Sequence, residues 1–209
     1  MTEMTGGQAA VAALQNEKVS HVFGMMGSAT MEMFDALYDA HDIQMIGVRD
    51  ERTGTHMADG YARASGKPGI ILAGQNGPGA TNLVTGLAQA KAAYSPVISI
   101  AGAISSGHLY RDAFQEVDQQ SLFTPITKKT WSVPSTNRVQ EILREAFRVA
   151  LSPRMGPVHI NLPRDVLSGQ ATFDPQPTPV SYRVQTAPAA PVESIENAAR
   201  LLANAKHPV

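Results

Sequence analysis

The chain has 209 residues, a formal net charge of -1 and 43% hydrophobic residues, which suits one globular domain with or without part of a second and excludes a disordered or fibrous chain. The near-neutral charge offers no basic surface for nucleic acid or an anionic membrane, and no run approaches the ~18 apolar residues of a membrane span. With no cysteine and no signal peptide, we expect a cytoplasmic protein without disulfides or a cysteine metal site.

The first hundred residues alternate between helical and strand patterns. The predicted elements are, in chain order, a helix over 7–18, a strand over 22–24, a helix over 31–40, a strand over 43–48, a helix over 51–65, a strand over 70–73, a helix over 81–93 and a strand over 97–101. The run IILA at 70–73 is apolar on both faces, as in parallel strands covered by helices on both sides. This pattern predicts an α/β fold, an open and mostly parallel sheet with helices on both faces.

The helix over 51–65 has a predicted inner face and a predicted end. Apolar spacing places Met57, Ala58, Tyr61 and Ala62 inward, and Gly66 is a suitable residue for ending the helix. We therefore expect this helix to pack on the sheet along that stripe.

The second half of the chain has a weaker pattern. It loosens after residue 102 and resumes with a helix over 137–151, where Asn137 can cap the helix and Gln140 lies three residues further on. A buried strand follows at 158–162.

A change in composition predicts the domain organisation. Residues 1–168 form the α/β domain, and residues 169–190, rich in proline, form a semi-rigid, extended linker. Residues 191–209 contain an amphipathic helix without a core of its own. We expect this helix to open a second, truncated domain.

Three segments are candidates for chemistry. The glycine-rich segment GQNGPGATN at 74–82 joins a strand to a helix, where open sheets bind ligands, although an ordinary tight turn has the same composition. Glu51 opens a helix, where acids are favoured by the helix dipole, yet it also lies at the expected edge for a ligand crevice. The segment DAFQEVD at 112–118 lies in an irregular stretch, which suits a functional loop or a solvated one with Phe114 as its anchor.

Together these segments resemble acetolactate synthase and its thiamine-diphosphate-dependent relatives. The shared motifs occur in the family's order and spacing over roughly residues 5 to 205. They are FG at 23–24, VRxE at 48–51, HMADGYARAxGKPG at 56–69, GPGATN at 77–82, DAFQE at 112–116, GPV at 156–158 and LPRDV at 162–166.

The resemblance implies an N-terminal, pyrimidine-binding domain and assigns roles to residues. Glu51 corresponds to the family's carboxylate that activates the cofactor by hydrogen bonding to N1′ of its aminopyrimidine. The resemblance also implies further residues in that pocket: Gly24, Gly27, Gly77, Asn82 and Gln115 at the cofactor, and Phe114 with Gln115 at the substrate.

The resemblance also implies partners and cofactors. The family uses thiamine diphosphate and binds Mg²⁺ through a C-terminal Gly-Asp-Gly motif, which this sequence lacks, and some members bind FAD. The substrate would be a 2-oxo acid such as pyruvate, whose two-carbon unit is transferred to an acceptor. A second subunit of a homodimer or homotetramer would complete the site. Apolar or small residues at 57–58, 62 and 80–93 suit close approach of helices from two subunits, or packing on the domain's own sheet.

Departures from the family pattern leave the reaction open. MGS at 26–28 and QN at 75–76 look more like sulfoacetaldehyde acetyltransferase, whereas TPITK at 124–128 and GPGATN at 77–82 look more like acetolactate synthase. Asp50 stands where acetolactate synthases usually have histidine. A third alternative is a stand-alone domain that binds a partner and catalyses nothing.

Overall fold

The computed structural model describes residues 1–184 and 189–208. The strands are β1 (Thr2–Thr5), β2 (His21–Met25), β3 (Gln44–Gly47), β4 (Gly69–Ala73), β5 (Val97–Ala103), β6 (Thr130–Ser132), β7 (Val158–Pro163) and β8 (Gln170–Phe173). The helices are α1 (Gly6–Asn16), α2 (Met31–Asp39), α3 (Glu51–Ser65), α4 (Pro78–Thr81), α5 (Val84–Ala92), α6 (Gln119–Phe123), α7 (Val139–Leu151), α8 (Arg164–Ser168) and α9 (Val192–Asn204). No helix among the described residues is both long enough and apolar enough to cross a membrane.

A six-stranded parallel sheet forms the centre of the fold, in the strand order β3-β2-β4-β5-β7-β6. Successive residues of β4 point to opposite faces: Ile70 and Leu72 join a core cluster with α1, α2 and α7, whereas Ile71 joins a second cluster with α3, α5 and α6. The predicted α/β class, with helices on both faces of the sheet, is therefore confirmed.

Helix α3 begins and ends as its sequence indicates. The Asp50 side chain accepts a hydrogen bond from the backbone N–H of Arg52, and Gly66 ends the helix with φ +69°. Ala58 and Ala62 are buried as predicted, and Tyr61 is half-buried.

The placement of Met57 on the inner face of α3 was wrong. The buried residues follow the spacing i, i+3, i+4, i+7 and i+8 from Glu51, and Met57 lies one position outside that stripe with 38% of its surface exposed. The predicted helix over 81–93 is also interrupted. Its first part belongs to the short α4, and α5 begins only at Val84.

The predicted cap of α7 was wrong too. Asn137 lies in a 3-10 turn, where its Oδ1 accepts a hydrogen bond from Ser135 Oγ, and the helix begins at Val139 without a side-chain cap. The residue that precedes the helix is Arg138, so Asn137 lies one position too early to cap it.

Short elements fill the stretches that lacked a clear pattern. Helix α6 and strand β6 lie between residues 102 and 137, and β6 adds the edge of the main sheet beside β7. At the start of the chain β1 pairs antiparallel with β8, in a separate two-stranded sheet.

The predicted linker is partly ordered against the first domain. Its residues 170–173 are β8, and further on Tyr182 Oη donates to Glu17 Oε1 at 2.5 Å while Arg183 forms an ion pair with Glu17. Residues 185–188 of this linker, and Val209, lie outside the described residues. Helix α9 has no buried residue. The division into domain, linker and second domain stays a prediction.

Candidate functional site

Most of the predicted site residues follow one of four neighbouring parallel strands, and Gly24 lies within β2. Gly27 follows β2, Glu51 follows β3, Gly77 follows β4, and Gln115 lies in the loop after β5. The carboxyl ends of parallel strands meet at one edge of a sheet, and that edge is where α/β folds bind ligands. Hydrogen bonds described below join these loops into one candidate site.

Glu51 is the buried carboxylate of this edge. It is the first residue of α3, and only 2% of its surface is exposed. Its Oε2 accepts a hydrogen bond of 3.0 Å from Asn82 Nδ2, and Asn82 directly follows α4. Two residues that the family resemblance assigns to one pocket are therefore in direct contact.

A glycine, Gly79, lies close beside the other carboxylate oxygen. A Cβ atom built on Gly79 would lie 3.1 Å from Glu51 Oε1 and 3.1 Å from the Cβ of Gln75. Any side chain at Gly79 would press against this carboxylate oxygen. The sequence analysis did not single out Gly79 as a site residue, although it lies within the glycine-rich segment.

The glycine-rich turn supports the loop that carries Phe114 and Gln115. Gly77 has φ +54°, and a Cβ atom there would lie 2.7 Å from the carbonyl oxygen of Gln115. Asn76 Nδ2 donates to the carbonyl oxygens of Phe114 at 3.3 Å and of Gln115 at 3.1 Å. The two loops therefore meet through backbone atoms, which leaves no room for a side chain at Gly77.

Gln75 joins three loops of the edge. Ser28 Oγ donates to Gln75 Oε1 at 3.0 Å, and Gln75 Nε2 donates to Gln115 Oε1 at 2.6 Å. We call Ser28, Gln75, Asn76 and Gln115 the amide clamp. Sequence analysis placed residues 75–76 within the glycine-rich candidate segment and noted them as a departure from the family pattern, but gave them no role. The contacts between these loops could not be read from the pattern.

The predicted glycines near β2 are closely packed against backbone. A Cβ atom on Gly24 would lie 2.4 Å from the carbonyl oxygen of Leu72, and one on Gly27 would lie 2.4 Å from the backbone of Gly74. These glycines let β2 and its loop approach β4 and the glycine-rich turn. That they also line a cofactor pocket stays a prediction.

Phe114 lies at the tip of the loop. Its side chain is 82% exposed, so it does not anchor the loop by burial. The anchor is Glu116 instead, whose carboxylate accepts hydrogen bonds from the backbone N–H groups of Tyr110 and Ala113 at 2.7 and 3.0 Å. These bonds lower the pKa of Glu116, so the carboxylate is ionised at neutral pH and holds the loop.

Dense clusters of metal-binding side chains are absent from the described part of the chain. Residues 1–184 and 189–208 contain no group of three or more His, Cys, Asp or Glu side chains that could hold a metal ion. The chemical groups of the site are therefore one buried carboxylate, several amides and glycines that keep space open.

Comparison with known proteins shows what this arrangement resembles. Residues 4–122 match the family model described as thiamine pyrophosphate enzyme, N-terminal TPP binding domain. The chain is 42% identical to a probable acetolactate synthase large subunit of Methanocaldococcus jannaschii, over 99% of this chain and 35% of that protein. It is also 42% identical to the acetolactate synthase isozyme 2 large subunit of Escherichia coli K12, over 99% of this chain and 36% of that protein.

A third relative has the same relation to the chain. The acetolactate synthase large subunit of Corynebacterium glutamicum is 38% identical over 99% of this chain and 33% of its own length. The chain thus spans about a third of the length of these curated relatives.

Proposed function

Because this chain belongs to the thiamine pyrophosphate enzymes and matches their N-terminal TPP binding domain, we propose that Glu51 is the carboxylate that binds the aminopyrimidine of thiamine diphosphate. The observation that carries this proposal is the geometry of Glu51. Its carboxyl group is buried at the carboxyl edge of the sheet, Asn82 donates to one oxygen, and the other oxygen lies beside Gly79 and accepts no hydrogen bond from the described residues.

These residues fit the chemistry of the pyrimidine. A ring nitrogen that hydrogen bonds to Glu51 Oε1 would lie close to Gly79, where a Cβ atom would already be 3.1 Å from that oxygen. A carboxyl group there can hold a proton at the ring nitrogen N1′, while the hydrogen bond from Asn82 fixes the direction in which the group points. When bound, thiamine diphosphate supplies the carbon that adds to a 2-oxo acid and the ring that accepts electrons during decarboxylation.

The amide clamp positions the loop that would meet the substrate. Gln75 and Asn76 fix the backbone and side chain of Gln115, and Phe114 projects from the same loop. We propose that these two loop residues line the substrate side of the pocket. The carboxylate and the loop are then positioned by separate contacts, one through Asn82 and one through the amide clamp.

For the whole protein we propose decarboxylation of a 2-oxo acid such as pyruvate and transfer of its two-carbon unit. The relatives described above are all named acetolactate synthases, which favours acetolactate formation over sulfoacetaldehyde acetyltransfer and over a non-catalytic module. Mg²⁺, FAD in the complete protein and a cytoplasmic location belong to the same proposal.

We also propose that a second subunit completes the site. The small residues Ala58 and Ala62 pack into the domain's own core, so they are not available to a partner. The positions that remain available to a partner are exposed residues of the two helices next to Glu51 and Asn82. They are Met57 on α3 and Ala88 and Ala92 on α5. Two-fold symmetry is usual for such assemblies.

Substitution of Glu51 tests the proposal. Glu51→Gln keeps the shape and the hydrogen bond from Asn82 but cannot take up and release a proton, so activity of the enzyme containing this chain falls by ~10²–10⁴-fold. The matched control is Asp50→Asn, which removes the neighbouring carboxylate and keeps a residue that can cap α3.

The assay uses pyruvate and, separately, sulfoacetaldehyde. The control is expected to stay within a factor of ~2 of the unmodified enzyme. Equal activity of Glu51→Gln and Asp50→Asn would remove Glu51 from the mechanism. If the enzyme turned over sulfoacetaldehyde but not pyruvate, the proposed substrate would be wrong and the proposed role of Glu51 would be unaffected.

A further inference from the structure

The loop after β5 concentrates a strained backbone conformation. Among the described residues, five that are not glycine have a positive φ. Two of them, Lys18 and Tyr94, lie just past the ends of α1 and α5, where a left-handed residue is common. The other three are Tyr110 at +62°, Asp112 at +51° and Gln115 at +61°, all within six positions of one loop. Because this conformation is costly for any residue but glycine, contacts must hold the loop in its shape.

Hydrophobic packing does not supply those contacts. The side chain of Tyr110 is 95% exposed, that of Phe114 is 82% exposed, and Leu109 and Val117 are exposed as well. The loop therefore has no apolar anchor in the domain's core.

The contacts come from Glu116. Within the described part of the chain, every hydrogen bond that residues 110–113 make runs to this residue. Its carboxylate accepts from the backbone N–H groups of Tyr110 at 2.7 Å and Ala113 at 3.0 Å, and its own N–H donates to the carbonyl oxygen of Ala113 at 2.9 Å. A charged acceptor forms stronger hydrogen bonds than a neutral one, which suits a carboxylate to holding a strained backbone.

Phe114 lies between two anchors. On one side, the N–H of Ala113 donates to Glu116. On the other side, Asn76 of the amide clamp donates to the carbonyl oxygen of Phe114 at 3.3 Å. The backbone is thus fixed before and after Phe114, and loss of Glu116 would leave only the second anchor. Gln115 has its own support, because its side chain accepts a hydrogen bond from Gln75.

We propose that Glu116 is a positioning residue for the reaction: by holding the strained backbone of residues 110–113, it keeps Phe114 at the substrate side of the pocket. This inference rests on the proposed function, in which Phe114 and Gln115 line that side. Glu116 acts on the substrate only through the loop and takes no part in proton transfer.

Hydrogen exchange of the enzyme that contains this chain tests the loop geometry without any substrate. Relative to their intrinsic rates, the amides of Tyr110 and Ala113 are expected to exchange at least ~10-fold more slowly than that of Asp112, which donates no hydrogen bond among the described residues. In Glu116→Gln an NH₂ group replaces one accepting oxygen. Exchange in the loop should then quicken at least ~10-fold, while the amides of β5 keep their rates.

Steady-state kinetics with pyruvate tests the effect on the reaction. In Glu116→Gln, kcat/KM for pyruvate is expected to fall at least ~10-fold, because small displacements of a substrate-positioning group slow catalysis strongly. The concentration of thiamine diphosphate that gives half-maximal activity should stay within a factor of ~2, since Glu51 and Asn82 lie outside the loop. The matched control is Glu3→Gln at an exposed position of β1, which should leave both quantities unchanged.

Three results overturn the proposal. The first is free exchange of the Tyr110 and Ala113 amides in the wild type, which needs no variant. The second is equal acceleration of the loop and of β5 in Glu116→Gln, which would make Glu116 a general stabiliser. The third is an unchanged kcat/KM despite faster exchange of the loop. Absence of pyruvate turnover in the wild type would instead contradict the proposed function, and the exchange results would still decide whether Glu116 holds the loop.

Discussion

A buried histidine on β7, His159, makes the stability of this domain depend on pH in a defined window. His159 has a pKa of about 3 in the folded chain and an ordinary value of 6.5. Between these values the unfolded chain binds a proton that the folded chain does not bind. The contribution of neutral His159 to the free energy of unfolding is therefore complete above pH 6.5, and it is lost as the pH falls from 6.5 toward 3.

The size of the effect follows from the two pKa values. One proton bound only by the unfolded chain lowers the free energy of unfolding by about 1.4 kcal/mol per pH unit. Between pH 7 and pH 5 the loss from this one residue is about 2 kcal/mol, a large part of the ~5–15 kcal/mol that stabilises a typical domain. Asp59 and Glu116 also have lowered pKa values, but from ordinary values of 3.8 and 4.5, so their contributions are lost mainly below pH 5.

Urea unfolding at pH 7, 6 and 5 measures this contribution when the wild type is compared with His159→Gln. Glutamine does not titrate and keeps an amide that can hydrogen bond to Ser99 and Asn161, the neighbours of His159. Between pH 7 and pH 5 the wild type is expected to lose about 2 kcal/mol more than the variant, whatever the baseline stability of the variant. The other histidines are common to both proteins and cancel. Parallel losses in the two proteins would refute a neutral, buried His159.

Two more predictions follow from the glycine-rich turn and its contacts. Gly77→Ala places a Cβ atom at φ +54° and 2.7 Å from the carbonyl oxygen of Gln115, so the free energy of unfolding in urea should fall by more than ~1 kcal/mol; an unchanged midpoint would contradict the close contact. Gln75→Leu removes both side-chain hydrogen bonds of Gln75, so hydrogen exchange of residues 112–116 should quicken at least several-fold, whereas Ser28→Ala, which removes only one of them, should have a smaller effect. Equal exchange in all three proteins would mean that Gln75 does not hold the loop.

The sheet could be predicted from sequence because its strands carry a strong local signal. The run at 70–73 is apolar on both faces, and such a run is stable only between two layers of helices. The position of Glu51 followed from the same reasoning, since a residue just after a parallel strand lies at the carboxyl edge. Gly66 marked the end of α3 because the left-handed conformation there favours glycine.

Other features depend on partners distant in sequence and leave no local pattern. The pairing of β1 with β8 joins Thr2 to Phe173, and neither strand alternates strongly enough to be recognised alone. The contact between Ser99 and His159 spans 60 positions, and a single histidine in an apolar strand gives no sign of it. Asn137 is a residue type that caps helices, but its side-chain oxygen accepts a hydrogen bond from Ser135 Oγ and does not cap α7.

Asp50 and Glu51, the two adjacent acids at the start of α3, have the same sequence signal but different roles. Both are favoured there by the helix dipole, which explains why acids stand at positions 50 and 51 but not why one of them is buried. Asp50 caps the helix and remains partly exposed, which a structural role fully explains. Glu51 is 2% exposed with one neutral hydrogen bond from Asn82, an arrangement that costs stability, because burying a carboxylate is expensive unless its oxygens are well satisfied. A ligand with a hydrogen-bonding ring nitrogen would satisfy the carboxylate oxygen that lies beside Gly79. The stability lost by burying Glu51 is therefore a physical argument for its functional role, in addition to the family resemblance.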